Sequence, residues 1–207
     1  MIDGAKVICV IPARAGSRRI PGKNMKLFHG KPILQYSIEA AKESGLFDEI
    51  IVSTDDDDAG RLAKRLGVTF QRRLSYLARD EVGTQEVGAK VTQIDMRRDR
   101  RPVAYVCILY ATAPLMSIDD LRNGLGILLS EHQYNFCQAW DAEKDADPGQ
   151  FYWCRALALA LGNPLDGPRT AHLTIDPMRS CDINYPEDWV IAEAKYQTLL
   201  DRDHAVL

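Results

Sequence analysis

The sequence predicts an α/β domain built on a doubly wound, mostly parallel sheet with helices on both faces. Short apolar runs at residues 6–11, 49–53, 103–109 and 135–140 alternate with longer segments that carry apolar residues at helical spacing. The runs are apolar almost throughout rather than alternating, the pattern of strands buried on both faces. The length of 207 residues, with 46% hydrophobic and 27% charged content, fits one domain with a sizeable core. A second full domain is not expected.

The first strand, Lys6-Val7-Ile8-Cys9-Val10-Ile11, stops at Pro12, which has no N–H for a ladder. Residues 11–24 then read Ile-Pro-Ala-Arg-Ala-Gly-Ser-Arg-Arg-Ile-Pro-Gly-Lys-Asn. Gly16, Ser17 and Gly22 let backbone N–H groups approach an anion, and Arg14, Arg18, Arg19 and Lys23 supply charge. The pattern suits a polyphosphate cradle; the alternative is a solvated basic loop. Neither the Walker nor the dinucleotide glycine fingerprint fits the spacing of Gly16 and Gly22.

Met25 to Phe28 reads as a short strand, and Pro32 opens a helix that Gly45 stops. Glu49 to Ser53 is the second parallel-type strand. It leads into Asp55-Asp56-Asp57-Asp58, where capping of a helix at residues 59–66 outweighs a metal site. A helix is expected from Thr84 to Met96, and the charged cluster at residues 97–101 reads as a solvated loop. Val103 to Leu109 is a further buried strand, whose carboxyl end, Tyr110-Ala111-Thr112-Ala113-Pro114, lies where ligands bind in open α/β sheets. A helix over residues 117–130 and a strand over residues 135–140 follow. Alternation at Asp182-Ile183-Asn184 predicts a short strand with two oxygen ligands on one face, suited to a hard cation; the alternative is an ordinary strand leading into a helix at Pro186.

The net charge of −3 gives no general attraction to nucleic acid or to an anionic membrane, and no apolar stretch reaches spanning length. Five cysteines, odd in number and without a Cys-x-x-Cys pair, read as small core residues in a reducing, cytoplasmic setting.

Residues 13–24 resemble the N-terminal signature of the acylneuraminate cytidylyltransferases, which make CMP-activated nonulosonic acids such as sialic acid. Val52-Ser53-Thr54-Asp55 and Ser180 to Trp189 also resemble family segments. The resemblance covers residues 6–135 and 149–196. Tyr110 before Ala111-Thr112-Ala113-Pro114, and the later Gly149-Gln150-Phe151-Tyr152-Trp153, are similar to the pseudaminic acid branch. A long excursion of that branch is shortened here, within residues 141–179.

The resemblance implies a Rossmann-like nucleotidyltransferase fold and attack of a sugar-acid hydroxyl on CTP, with pyrophosphate released. It implies a nucleotide site of Ala13, Arg14, Gly16, Ser17, Arg18, Lys23, Asn24, Thr84, Thr112 and one of Arg72 or Arg73, of which Arg73 is preferred. Arg14 and Lys23 are the implied catalytic cations, Tyr110 and Gln150 the sugar contacts, and Asp182 with Asn184 the ligands of Mg2+. A homodimer is implied by analogy. A CTP-binding homologue with impaired catalysis, or an enzyme acting on Kdo like the CMP-Kdo synthetases, is the alternative.

Overall fold

The computed structural model describes residues 4–99 and 101–204. In chain order the first elements are β1 (Lys6–Pro12), β2 (Leu27–Phe28), β3 (Lys31–Pro32), α1 (Ile33–Ser44), β4 (Glu49–Thr54), α2 (Asp57–Arg65) and β5 (Thr69–Arg72). Then come α3 (Thr84–Arg98), β6 (Val103–Leu109), α4 (Ile118–Ser130), β7 (Phe136–Trp140), β8 (Phe151–Arg155), α5 (Ala156–Ala160), β9 (Thr170–Thr174) and α6 (Pro186–His204). The central sheet has the order β5-β4-β1-β6-β8-β7-β9. Only β8 runs against its neighbours. The mostly parallel, doubly wound sheet expected from the sequence is therefore present.

From β1 the chain moves outward through β4 to β5, then returns to place β6 on the other side of β1. This reversal opens a crevice at the carboxyl ends of β1 and β6. Helices α1, α2 and α4 cover one face through Leu34, Ile38, Leu62, Leu121 and Leu125, while α3 and α5 cover the other through Val87, Val91 and Leu159. Both faces of β1 are consequently buried, which is why its run is apolar without alternation. Its one charge, Lys6, is fully buried, bonded to Asp95 and 3.2 Å from Asp99.

A third cluster joins Ile20, Phe28, Ile33, Leu115, Ile183 and Trp189, so α6 and the β2–β3 hairpin pack beneath the loop after β1. Pro32 closes that hairpin and precedes α1 instead of opening it. The helix α3 continues to Arg98, which pairs with Glu49 and Asp95; part of the charged cluster is thus helical, and Arg100 lies outside the described residues. Residues 141–179 contribute β8, α5 and β9, of which β8 and β9 join the central sheet. Cys9, Cys107, Cys137 and Cys154 are buried, as small core residues should be. Among the described residues no helix is long and apolar enough to cross a membrane.

Along β8, Phe151 and Trp153 face the α4 side while Tyr152 and Cys154 face the α3 side. Trp153 donates from Nε1 to the Leu121 carbonyl at 2.9 Å and stacks on Phe47. A Cβ at Gly124 would come within 2.7 Å of the Trp153 ring. Gly124→Ala should therefore destabilise the fold by about 1–3 kcal/mol through overpacking, despite the better helix propensity of alanine. Urea denaturation measures it.

Candidate active site

The loop after β1 is fixed at several points, so its cations are held by a scaffold. Ala13 remains tied to the sheet through Ser53 O at 2.9 Å, and Ala15 N donates to Asp55 Oδ1 at 2.8 Å. At the far end Asn24 Nδ2 donates to the Arg14 carbonyl at 2.9 Å. Gly22 takes a left-handed conformation, φ 63°, that starts the turn at Lys23–Met25, and Ile20 buries the loop's waist. Asp56 caps α2 by accepting from Asp58 N and Ala59 N, Asp57 pairs with Arg72, and Asp58 pairs with Arg61. All four carboxylates of this acidic run are thus engaged, and Asp56 caps the helix as expected.

Above the crevice lies a cleft of about 570 Å³ lined by Arg14, Ser17, Arg18, Arg19, Lys23, Asn24, Arg73, Asp80, Thr84, Tyr110, Thr112 and Asn184, with Pro12, Val82 and Val87 as apolar wall. Ten of the fourteen implied site residues line it, together with Arg19 of the basic loop; Ala13, Gly16, Gln150 and Asp182 do not. Arg73 is the arginine that enters, since it is only 6% exposed while Arg72 turns to Asp57 and the Asp55 carbonyl. Its Nη2 donates to Ser53 O at 2.8 Å and its Nε has no protein partner. Burial lowers its pKa to about 10, partly opposed by Asp55, so the guanidinium stays charged at neutral pH. An uncompensated donor on a buried cation is well placed to meet an anion or a carbonyl.

Lys23 donates from Nζ to the Ile183 carbonyl at 2.6 Å. Burial lowers its pKa, while Asp182 works in the opposite sense. Arg14 and Arg18 both reach Asp80, Arg18 at 2.5 Å. Ala13 is buried beneath the cleft, and Gly16 lies outside it, on a neighbouring hollow shared with residues 78–81. Gln150 is buried away from the cleft lining: its Nε2 donates to Arg179 O at 2.5 Å, and its Oε1 is unpartnered. A direct sugar contact through Gln150 is not what this geometry offers.

Asp182 and Asn184 share one side of an extended segment with Ile183 buried, but no strand forms, because no neighbouring chain pairs with it. Asn184 donates to Asp182 and accepts from Arg19 at 2.9 Å through its Oδ1. Partial desolvation raises the Asp182 carboxyl pKa, against the hydrogen bond from Asn184 and the charge of Lys23. Gly149 explains how the carboxylate fits. It has φ 65°, and a Cβ there would lie 2.7 Å from Asp182 Oδ1.

Residues 8–148 match the cytidylyltransferase family model. The chain belongs to the cytidylyltransferase family. Pseudaminic acid cytidylyltransferases from two strains of Campylobacter jejuni are 41% and 38% identical over 56% of this chain and 50% of their own length. The N-acylneuraminate cytidylyltransferase of Oncorhynchus mykiss is 26% identical over 91% of the chain and 50% of its own. The chain thus spans about half the length of these curated relatives. The fold matches a CMP:2-keto-3-deoxy-manno-octonic acid synthetase complexed with CTP, with TM-score 0.70 and 17% identity over 95% of this chain and all of that one.

Two acidic residues of this cytidylyltransferase chain make contacts that their place in the sequence did not specify. Asp55 anchors the basic loop through a backbone N–H, and Asp80 binds two of its arginines. Their partners are not legible locally, because each acts across the crevice on residues at least 40 positions away. The apolar wall was not foreseen either: Val87 lies in the helix expected from Thr84, and Val82 just precedes it.

Proposed function

We propose that the chain joins CMP from CTP to a nonulosonic acid, with pseudaminic acid the first candidate, and releases pyrophosphate. The observation that carries this is the convergence of Arg14, Arg18, Lys23 and Arg73 on one cleft at the carboxyl ends of β1 and β6, beside an apolar wall. A nucleoside triphosphate needs both surfaces, cations for its phosphates and apolar contact for its base. The pseudaminic assignment is supported by the Campylobacter relatives and by Tyr110 and the segment 149–153. A homodimer is part of the proposal by analogy, and light scattering tests it.

In this mechanism the anomeric hydroxyl attacks the α-phosphorus in line while pyrophosphate departs. Negative charge grows on the phosphoryl oxygens, so placed cations and orientation supply most of the rate enhancement. Arg14 faces the reacting phosphate, with Ser17, Arg18 and Lys23 on the chain beyond it. Asn24 fixes the loop backbone through the Arg14 carbonyl. Thr84 and Thr112 border the same space.

The residues present fit Mg2+ in part. Asp182 is an exposed carboxylate with room made by Gly149, whereas the oxygen of Asn184 is engaged by Arg19. The described residues hold no group of three acidic, His or Cys side chains for an ion, so Asp182 would hold it with phosphate and water. Bound there, the ion would neutralise charge on the triphosphate.

Pyrophosphate release with CTP and UTP across pseudaminic, legionaminic, neuraminic and Kdo acids tests the proposal. Release with CTP and a nine-carbon acid is expected. Nucleotide binding without release would instead identify a catalytically impaired CTP-binding homologue.

The Asp80 contacts give a separate expectation. In the free protein its carboxylate occupies Arg14 and Arg18, which phosphates would claim. The Arg18 pair is largely solvent-exposed, so each contact is worth up to about 1 kcal/mol. Asp80→Asn should tighten CTP binding by roughly two- to fivefold. Calorimetric titration of CTP into both proteins checks this, and weaker binding by the variant would show that Asp80 helps to hold nucleotide.

A further inference from the structure

Tyr110, on the cleft wall, is the first member of a hydrogen-bonded chain that leads away from the cleft. Its hydroxyl lies 3.2 Å from that of Tyr152, and Tyr152 in turn donates to the Asp147 carboxylate. Asp147 is itself fixed, since its other oxygen accepts from Gly149 N at 2.8 Å. Proton counting then sets the direction of every bond. An ionised carboxylate only accepts, so the single Tyr152 proton points at Asp147, and the Tyr152 oxygen can only accept from Tyr110. The Tyr110 proton is thereby spent on Tyr152. What remains of the Tyr110 hydroxyl is an oxygen that accepts from the Thr84 hydroxyl at the start of α3 and keeps one further lone pair for the cleft. Burial raises the pKa of both phenols, keeping them neutral.

We propose that Asp147 and Tyr152 are positioning residues that fix Tyr110 as a hydrogen-bond acceptor toward a hydroxyl or amide N–H of the sugar acid. The inference rests on the cytidylyltransferase reading and adds to it a source of sugar selectivity: a donor is accepted at this point, and an analogue presenting only an acceptor there is rejected. A buried site built to pair with one polar group discriminates strongly against its absence. Asp147→Asn alters the direction rather than the shape. An amide N–H can donate to Tyr152, which frees Tyr152 to donate to Tyr110 and turns the Tyr110 proton toward the ligand.

The test is steady-state kinetics of the full chain with CTP, magnesium and the sugar acid giving the fastest pyrophosphate release. Asp147→Asn and Tyr152→Phe should each raise KM for the acid about tenfold, the scale of one lost hydrogen bond, with KM for CTP within about twofold. Asp147→Glu should recover much of the loss. Tyr152→Phe keeps the buried ring, so its thermal melt should stay close to wild type and separate this effect from misfolding. Parallel rises in both KM values, or an acid KM unchanged in both variants, would overturn the inference while leaving the cytidylyltransferase reading in place. A wild-type chain that releases no pyrophosphate with any acid would overturn that reading and this inference with it.

Discussion

Replacing Arg14 by alanine is expected to lower kcat/KM for CMP transfer by about a hundredfold to a thousandfold, the loss seen when one donor to a developing oxyanion is removed. The side chain is more than a third exposed and pairs with the part-exposed Asp80, so no buried group is orphaned by the change. The loop should hold its shape, because the fixing bonds use the Arg14 carbonyl, Ala15 N and the buried Ile20. Stability should accordingly move by no more than about 0.5 kcal/mol. Arg14→Lys separates charge from geometry: a point charge restores part of the rate, but a planar fork that grips two oxygens is lost. Single-turnover pyrophosphate release under saturating CTP measures the chemical step. A rate within a few-fold of wild type in Arg14→Ala would remove Arg14 from the mechanism.

The fold and the basic loop were legible because their determinants are local. An unbroken apolar run followed by proline marks β1 and its end, and Gly45 marks the end of α1 by its left-handed turn. What the pattern could not show is which residues meet across the crevice. Arg72 and Arg73 are neighbours in sequence and opposite in fate, because adjacent side chains at the end of β5 leave in different directions. Gln150 sits in a motif that reads as a sugar contact, yet the antiparallel β8 carries it behind Tyr110, where its backbone carbonyl accepts from Tyr110 N at 2.8 Å. The alternation at Asp182 to Asn184 correctly put both side chains on one side, but alternation describes an extended backbone and does not require a ladder.

Asp182→Asn is expected to raise the magnesium concentration for half-maximal turnover by tenfold or more. The reason is that the neighbouring carboxylates are already engaged: Asp147 accepts from Tyr152 and from Gly149 N, and Asp188 accepts from Asn184 N and Tyr185 N. Asp55 to Asp58, the other acidic run near the loop, are engaged by Ala15 N, the start of α2, Arg72 and Arg61. Around the candidate ion position Lys23 and Arg19 already contribute positive charge, with Arg19 on the Asn184 oxygen. Neutralising Asp182 would leave the ion beside two neutral amides and two basic side chains, dependent on the triphosphate for its anionic ligands. CTP itself keeps Arg14, Arg18, Lys23 and Arg73, so its affinity measured without metal should change by no more than a few-fold. Asn184→Asp tests the same balance from the other side. It supplies a second carboxylate and should lower the magnesium requirement, although Arg19 would bind that carboxylate more tightly and blunt the gain. Titrating magnesium against turnover, and against CTP binding by calorimetry, compares the three proteins directly. An unchanged requirement in Asp182→Asn would mean that the triphosphate carries the ion without help from this carboxylate.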